Sequence, residues 1–315
     1  MNHFTFIVNP SAGKGAGMKV FHSIQGELDA RSIPYDFTET TGPGHATEAA
    51  RRSGSPTVVS VGGDGTINEI ANGLAGSEKC LGIIPAGSGN DFIKSVNVPR
   101  KPLSALQTLL EGGRRSVDIG TVRCSYSKAG GGNFEGRLFV NGVGAGFDAA
   151  VAARTREIRY LSGTALYVLA VLQTLGKYAT PSFTIQSDSF TREAKGLLIA
   201  IGNGRCAGGG FYLTPDASVD DGLLDVCTVD DKNIFQILRL MPLVMRGRHH
   251  NVQGVKFFRE KRLTIFADEQ FYVHADGEIV GASVRRVEIG LHSSQITVIS
   301  PGENGRGSGR GKKPS

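Results

Sequence analysis

Three glycine-rich stretches, NPSAGKG at 9–15, VGGDGTINE at 61–69 and PAGSGNDF at 85–92, each follow a short apolar run and precede a segment with helical spacing. No other feature constrains the fold as tightly. Phe4–Val8, Thr57–Val61 and Leu81–Ile84 read as buried strands, and Phe21, Ile24 and Leu28 recur at helical intervals after the first of them. Between them lie a strand near Tyr35–Thr38, the turn TTGPG and a helix from about His45; Leu103–Leu110 reads as a helix and Ser116–Arg123 as the next strand. Short strands alternating with helices imply a mostly parallel sheet with helices on both faces. In such a sheet the three glycine stretches share one edge.

After Tyr126 the texture changes. A polar glycine-rich stretch, SKAGGGNFEG, leads into many β-type segments: Leu138–Asn141, Phe183–Gln186, Gly196–Ile201, Leu224–Val229, Lys261–Ala267, Phe271–His274 and Val284–Gly290. Helical segments at Tyr160–Leu175 and Ile234–Met245 interrupt them. We therefore expect an α/β domain over 1–122 and a strand-dominated domain over 123–294. Residues 295–300 return to the first domain, and 301–315 form a disordered basic tail. The length of 315 residues suits two domains with cores of their own.

Charge and cysteine usage narrow the function classes. The net charge is +6, but Arg306, Arg310, Lys312 and Lys313 against Glu303 place +3 of it in the tail, so no nucleic-acid partner is expected. Cys80, Cys124, Cys206 and Cys227 are widely spaced with no C-x-x-C, which argues against a zinc cluster or disulfide framework and fits a reducing cytoplasm. The N-terminus lacks a secretion pattern, and the longest apolar run, Ala165–Leu172, is too short to span a bilayer. His249 and His250 show no metal-ligand pattern and read as surface residues.

At the edge of a parallel sheet, glycine lets the backbone approach a ligand, and free N–H groups with the helix dipole favour an anion. A phosphate-rich ligand follows. Two common fingerprints are excluded. Val8 stands where a P-loop needs glycine and Gly15 where it needs Ser or Thr, while Met18 and Asn68 occupy the last glycine positions of a dinucleotide motif. Gly202, Gly204 and Ala207 match its relaxed form, in the β-rich half, where a lone match is weak. Asp64 inside GGDG sets negative charge beside phosphates, a conflict that Mg²⁺ with a nucleotide triphosphate resolves. Asp91 and Asp118 also follow strands, so three carboxylates are expected to converge on one metal–water network. For Asp91 the alternative is a helix cap.

The ordered set NPSAGKG, VGGDGTINEI (61–70), IPAGSGNDF (84–92), VDIG (117–120), SVDDGLLDV (218–226) and HADGEIV (274–280) closely resembles the bacterial diacylglycerol kinase-like lipid kinases. These are relatives of sphingosine, ceramide and eukaryotic diacylglycerol kinases, with a more distant likeness to NAD kinases and 6-phosphofructokinases. The resemblance covers the chain to about residue 300. It implies an α/β nucleotide-binding domain, a C-terminal β-sandwich domain in a NAD kinase-like arrangement, and an active site in the cleft between them. ATP contacts fall on Asn9, Pro10, Ser11, Ala12 and Gly13, on Thr40, on Gly63, Asp64, Gly65, Thr66, Ile67, Asn68 and Glu69, and on Ser88, which replaces a frequent threonine. The implied general base is Glu278, followed by Ile279 where proline is common. A structural Mg²⁺ site maps to the Ser218 carbonyl, the Asp221 carboxylate and the Leu223 carbonyl.

From spacing alone, Asp276-Gly277 reads as a hairpin turn that leaves Glu278 as an exposed strand residue, and Asp221-Gly222 as another such turn; the resemblance is what reverses the first reading and supplies the metal site for the second. The expected activity is transfer of the γ-phosphoryl of ATP to a lipid hydroxyl, most simply diacylglycerol to phosphatidic acid. A sphingoid base or another hydroxyl acceptor is the alternative, as is a catalytically silent nucleotide-binding regulator. Reaching a bilayer needs an apolar approach, for which Tyr160–Leu175 or Ile234–Met245 with the basic RGRHH are candidates for peripheral contact at the inner membrane surface. A homodimer is left open.

Overall fold

The computed structural model describes residues 3–129, 135–155, 157–158, 163–175, 178 and 180–302. Most of the basic tail, the centre of SKAGGGNFEG and Tyr160–Ser162 thus lie outside the described residues. The N-terminal lobe runs β1 (Phe4–Val8), α1 (Ala12–Gly15), α2 (Gly17–Ala30), β2 (Tyr35–Glu39), α3 (His45–Arg52), β3 (Thr57–Gly62), α4 (Asp64–Leu74), β4 (Cys80–Pro85), α5 (Phe92–Val96) and α6 (Pro102–Glu111). Strands β2, β1, β3 and β4 pair in parallel in that order. Strands β3 and β4 are buried along their whole length, which is why both read as continuous apolar runs. Phe21, Ile24 and Leu28 of α2 and Ile67, Ile70 and Leu74 of α4 sink into the sheet's core.

The chain then crosses to a β-rich lobe: β5 (Gly113–Ser125), β6 (Glu135–Phe139), β7 (Gly142–Gly146), α7 (Phe147–Thr155), α8 (Gly163–Leu175), β8 (Ser182–Ser187), β9 (Thr191–Gly202), β10 (Leu224–Asp230), α9 (Ile234–Val244), β11 (Val255–Glu260), β12 (Arg262–Ala275) and β13 (Glu278–Ser300). Strands β9 and β12 are bridged twice, by β7 at one end and β8 at the other. Phe139, Phe183 and Phe271 fill the core between them. A second apolar layer joins α7, α8 and α9 to β9 and β10.

Two strands belong to both lobes. β5 passes residue 122 without a break and pairs antiparallel with β13 from Ser125↔Arg286 to Gly113↔Ser300, with a register shift between Leu291 and Gln295. The end of β13 then lies parallel to β4, Thr297 opposite Cys80 and Val298 opposite Leu81. The segments Val284–Gly290 and Gln295–Ile299 are therefore parts of one 23-residue strand. A continuous hydrogen-bonded ribbon thus holds the sheet edge of one lobe against the other.

Candidate active site in the interlobe cleft

The three glycine-rich turns meet at the carboxyl edge of β1, β3 and β4. Gly13 has φ +58°, and a Cβ there would lie 2.3 Å from the Ala86 carbonyl oxygen; a Cβ on Gly87 would lie 2.4 Å from the Gly63 Cα. Backbones this close leave room only for glycine. Helix α4 begins at Gly63 with no side-chain cap, so its first N–H groups are free to meet an anion. Asn9 ties two of the turns together, its Nδ2 donating to Thr66 Oγ1 and its Oδ1 accepting from the Ser11 N–H, both at 3.0 Å.

A cavity of about 390 Å³ opens there, lined by Asn9, Ser11, Ala12, Gly13, Thr40, Gly63, Gly65, Thr66, Glu69, Gly87 and Glu278 among others. Most residues expected to contact a nucleotide are thus brought together. Pro10 and Ser88 do not line it. Ile67 turns its side chain into the sheet core, where it is fully buried, because helical periodicity points it inward. Asn68 also faces away, toward the other lobe. The Glu69 carboxylate accepts the Ala46 N–H at 3.1 Å and so braces the start of α3.

Glu278 enters this cavity from the opposite lobe. Asp276 and Gly277, with φ of +48° and +81°, form the tight turn between β12 and β13, and Ala275 pairs with Glu278 across it. The hairpin and the site are the same object. One Glu278 carboxylate oxygen lies 3.3 Å from where a Gly65 Cβ would sit. The other meets Arg137 Nη1 at 2.6 Å, while Arg137 Nη2 donates to Asn68 Oδ1 at 3.0 Å. Asp276 is itself an anchor. Its carboxylate accepts from the Val140, Asn141 and Gly142 N–H groups and from Asn68 Nδ2, at 2.7–3.0 Å. Burial raises the Asp276 pKa against these four donors.

A second cavity of about 210 Å³ lies on the other side of the hairpin, lined by Asp64, Gly89, Asp91, Asn141, Asp148, Gly209, Leu213, His274, Asp276 and Gly277 among others. Asp64-Gly65 and Gly277-Glu278 form the partition, each dipeptide giving one residue to either cavity. Asp64 Oδ1 accepts the Asp91 and Phe92 N–H groups at 2.7 and 3.0 Å, which joins the GGDG and GSGNDF turns. Burial, then the Asp91 charge, pushes Asp64 up to about 6 against those two amides.

Asp91 holds the N-cap position of α5 but makes no cap hydrogen bond. Its carboxylate instead takes Lys94 Nζ at 2.7 Å, the Cys206 thiol at 3.2 Å and the Gly209 N–H at 2.6 Å, latching the lobes together. Asp118 does not join Asp64 and Asp91, which corrects the expected three-carboxylate network. It sits within β5, where its carboxylate accepts from Gly222 N–H and Gln295 Nε2 and its own N–H donates to the Val219 carbonyl. Strand continuity from Gly113 to Ser125 carries it away from the cleft and against the 218–223 loop.

In that loop Asp221 Oδ1 accepts the Leu223 N–H at 3.1 Å, Ser218 Oγ donates to Asp220 Oδ1, and Arg259 stands 3.9 Å from Asp221 Oδ2. Among the described residues no three His, Cys, Asp or Glu side chains converge as a metal cluster. The four cysteines are buried free thiols. His249 is a further correction: it is fully buried beside Phe257 and Cys227, not at the surface, and burial lowers its pKa. Gly202 closes β9, and Gly204 and Ala207 lie in the bends after it with no helix following, so the relaxed dinucleotide pattern there has no structural counterpart.

Sequence reasoning missed Arg137, Asp148 and His274. The last two form a buried pair at 3.2 Å on the floor of the second cavity. No local motif marks Asp148, and although His274 opens the HADGEIV stretch nothing in that stretch points to a partner 126 positions away.

Residues 3–122 match the family described as the diacylglycerol kinase catalytic domain, and residues 141–299 match the YegS C-terminal NAD kinase beta sandwich-like domain. A protein named diacylglycerol kinase from Mycobacterium tuberculosis (strain ATCC 25618 / H37Rv) is 30% identical over 304 residues, covering 94% of each chain. One named "Probable lipid kinase YegS-like" from Xanthomonas euvesicatoria pv. vesicatoria (strain 85-10) is 30% identical over 313 residues, covering 96% of this chain and 97% of its own. Among solved structures, a diacylglycerol kinase from Bacillus anthracis str. Sterne superposes with a TM-score of 0.68 at 22% identity, over 95% of this chain and 97% of that one. Yeast NADH kinase superposes with a TM-score of 0.51 at 10% identity, over 96% and 84%, and shares the two-lobed fold.

Proposed function

This chain belongs to the bacterial diacylglycerol kinase-like lipid kinases, ATP-dependent enzymes, and on that footing we propose that it converts diacylglycerol to phosphatidic acid with Glu278 as general base. The observation that carries the reading is the partition made by Asp64-Gly65 and Gly277-Glu278 between a glycine-walled cavity and an acidic one. The triphosphate of ATP fits the first, against the free amides at the start of α4. The acceptor hydroxyl approaches from the second. Its proton passes to Glu278 as its oxygen bonds to the γ-phosphorus, and the bridge to the β-phosphate breaks to release ADP. Such a transition state is loose, so positioning and charge neutralisation do most of the work. Arg137 holds Glu278 in place, and Asp276 fixes the turn that presents it.

The donor chemistry suits Mg²⁺ in two places. Asp64 and Asp91 offer hard oxygens beside the triphosphate cavity, and a Mg²⁺ that keeps waters and phosphate oxygens needs only one or two carboxylates. In the loop braced by Asp118, the Ser218 and Leu223 carbonyls with the Asp221 carboxylate would supply a second, all-oxygen set of the hard donors Mg²⁺ prefers. When bound with ATP, the ion supplies neutralisation of the phosphate charge.

The test is purified protein with labelled ATP, Mg²⁺ and a mixed lipid panel that includes diacylglycerol and sphingoid bases. Labelled phosphatidic acid is expected. No labelled lipid despite ATP binding, or label only in another acceptor, overturns the assignment.

A further inference from the structure

We propose that the outer face of α9 seats the enzyme on an anionic bilayer, an inference that rests on the lipid acceptor argued above. Ile237, Leu240 and Val244 turn inward and are buried in the apolar layer under the helix. The opposite ridge is also apolar. Phe235, Leu238, Pro242 and Met245 follow one another at intervals of three and four residues, which aligns them on a single stripe. Phe235 is 80% exposed, the highest of any large apolar side chain among the described residues; Leu238, Met245 and the neighbouring Ile234 are about 40% exposed. A helix apolar on both faces while standing at the surface has a face without a partner.

Charge identifies the occupant. Arg239, Arg246 and Arg248 are exposed around this stripe, and none is in an ion pair among the described residues. The nearby acids are engaged: Asp230 faces Lys256, Asp231 faces Lys195 and Asp216 takes His250. An apolar ridge flanked by unpaired arginines matches the headgroup–acyl boundary of an anionic leaflet. It matches a protein groove less well, since there the arginines would need carboxylate partners.

Position supplies the second argument. The Tyr212 N–H donates to the Val244 carbonyl at 3.1 Å, so the end of α9 is tied to the loop whose Gly209 and Leu213 line the acidic cavity. A bilayer under α9 therefore lies one loop away from the proposed acceptor entrance. On α8, Leu172 is 39% exposed, and its neighbours Ala170 and Val171 share the buried layer with α9.

The experiment is flotation of the full chain with vesicles of phosphatidylcholine alone and of phosphatidylcholine mixed with phosphatidylglycerol. The wild type is expected to float with the mixed vesicles and less with the neutral ones. The double variant Phe235→Ser, Leu238→Ser should weaken this binding by roughly tenfold or more, and Arg239→Gln or Arg246→Gln by about fivefold each. Unchanged thermal melting would show that these surface changes leave the fold intact. Wild-type flotation by the double variant overturns the proposal, as does a shift of the double variant from dimer to monomer in sedimentation with vesicle binding retained, which would assign the face to a second copy. A water-soluble short-chain diacylglycerol separates the two readings. Vesicle binding without its turnover retires the substrate assignment and leaves the docking face, whereas turnover without vesicle binding retires the docking face.

Discussion

Replacing Asp64 with asparagine should stabilise the ligand-free protein at neutral pH while removing its activity. The side chain accepts two backbone N–H groups through Oδ1, and an asparagine can keep both through its own carbonyl oxygen. What disappears is the charge, which sits buried and close to Asp91 and Asp276. The pKa is raised from 3.8 to about 6, so between these values the folded chain binds the proton that the unfolded chain releases. The associated stability is present in full below pH ~4 and is lost as pH rises through ~6. At ~1.36 kcal/mol per pH unit the difference amounts to about 3 kcal/mol, trimmed toward about 2 by the solvent contact Asp64 retains. Urea denaturation of both proteins at several pH values from 4 to 7 tests this. The curves should coincide near pH 4 and separate by about 2–3 kcal/mol by pH 7, with the variant more stable. Parallel pH dependences, or a variant less stable at pH 7, would refute burial as the dominant influence on this carboxylate.

Glu278→Gln should lower turnover by about 10²-fold or more while nucleotide affinity, read by calorimetry, stays unchanged; near wild-type turnover would remove Glu278 as the base. Asp276→Asn suits the left-handed backbone but turns a donor toward N–H groups that need an acceptor, so denaturant unfolding should show a loss of about 2–4 kcal/mol. Turnover should fall with it as Glu278 loses its mounting. Gly13→Ala places a methyl against the Ala86 carbonyl at positive φ, and nucleotide titration should show binding lost or weakened at least ~10-fold from the backbone strain alone.

The parallel sheet and its three phosphate-type turns were legible because strand burial, helical spacing and the glycine a close backbone approach requires are all written within a few consecutive residues. The same locality misled elsewhere. Ile67 lies inside a motif that points to nucleotide, yet the period of α4 turns it to the core. His249 carries a polar side chain next to the exposed His250, and only the packing of Phe257 and the strand beneath it buries the ring. Asp118 follows the same acid-after-strand pattern as Asp91, and only the length of β5 separates them.

By itself, the order of residues determined the α/β lobe, the edge at which an anion is met, the change to a β-rich second half and the family. Tertiary structure alone decided which acids face one another. The Asp276 carboxylate takes Asn68 from 208 positions away, Asp91 reaches Gly209 across 118, and Asp118 finds Gly222 across 104. Backbone preference acts over neighbours, whereas electrostatics and burial depend on distance in space. Those three partnerships therefore depend on the second half of the chain packing against the first.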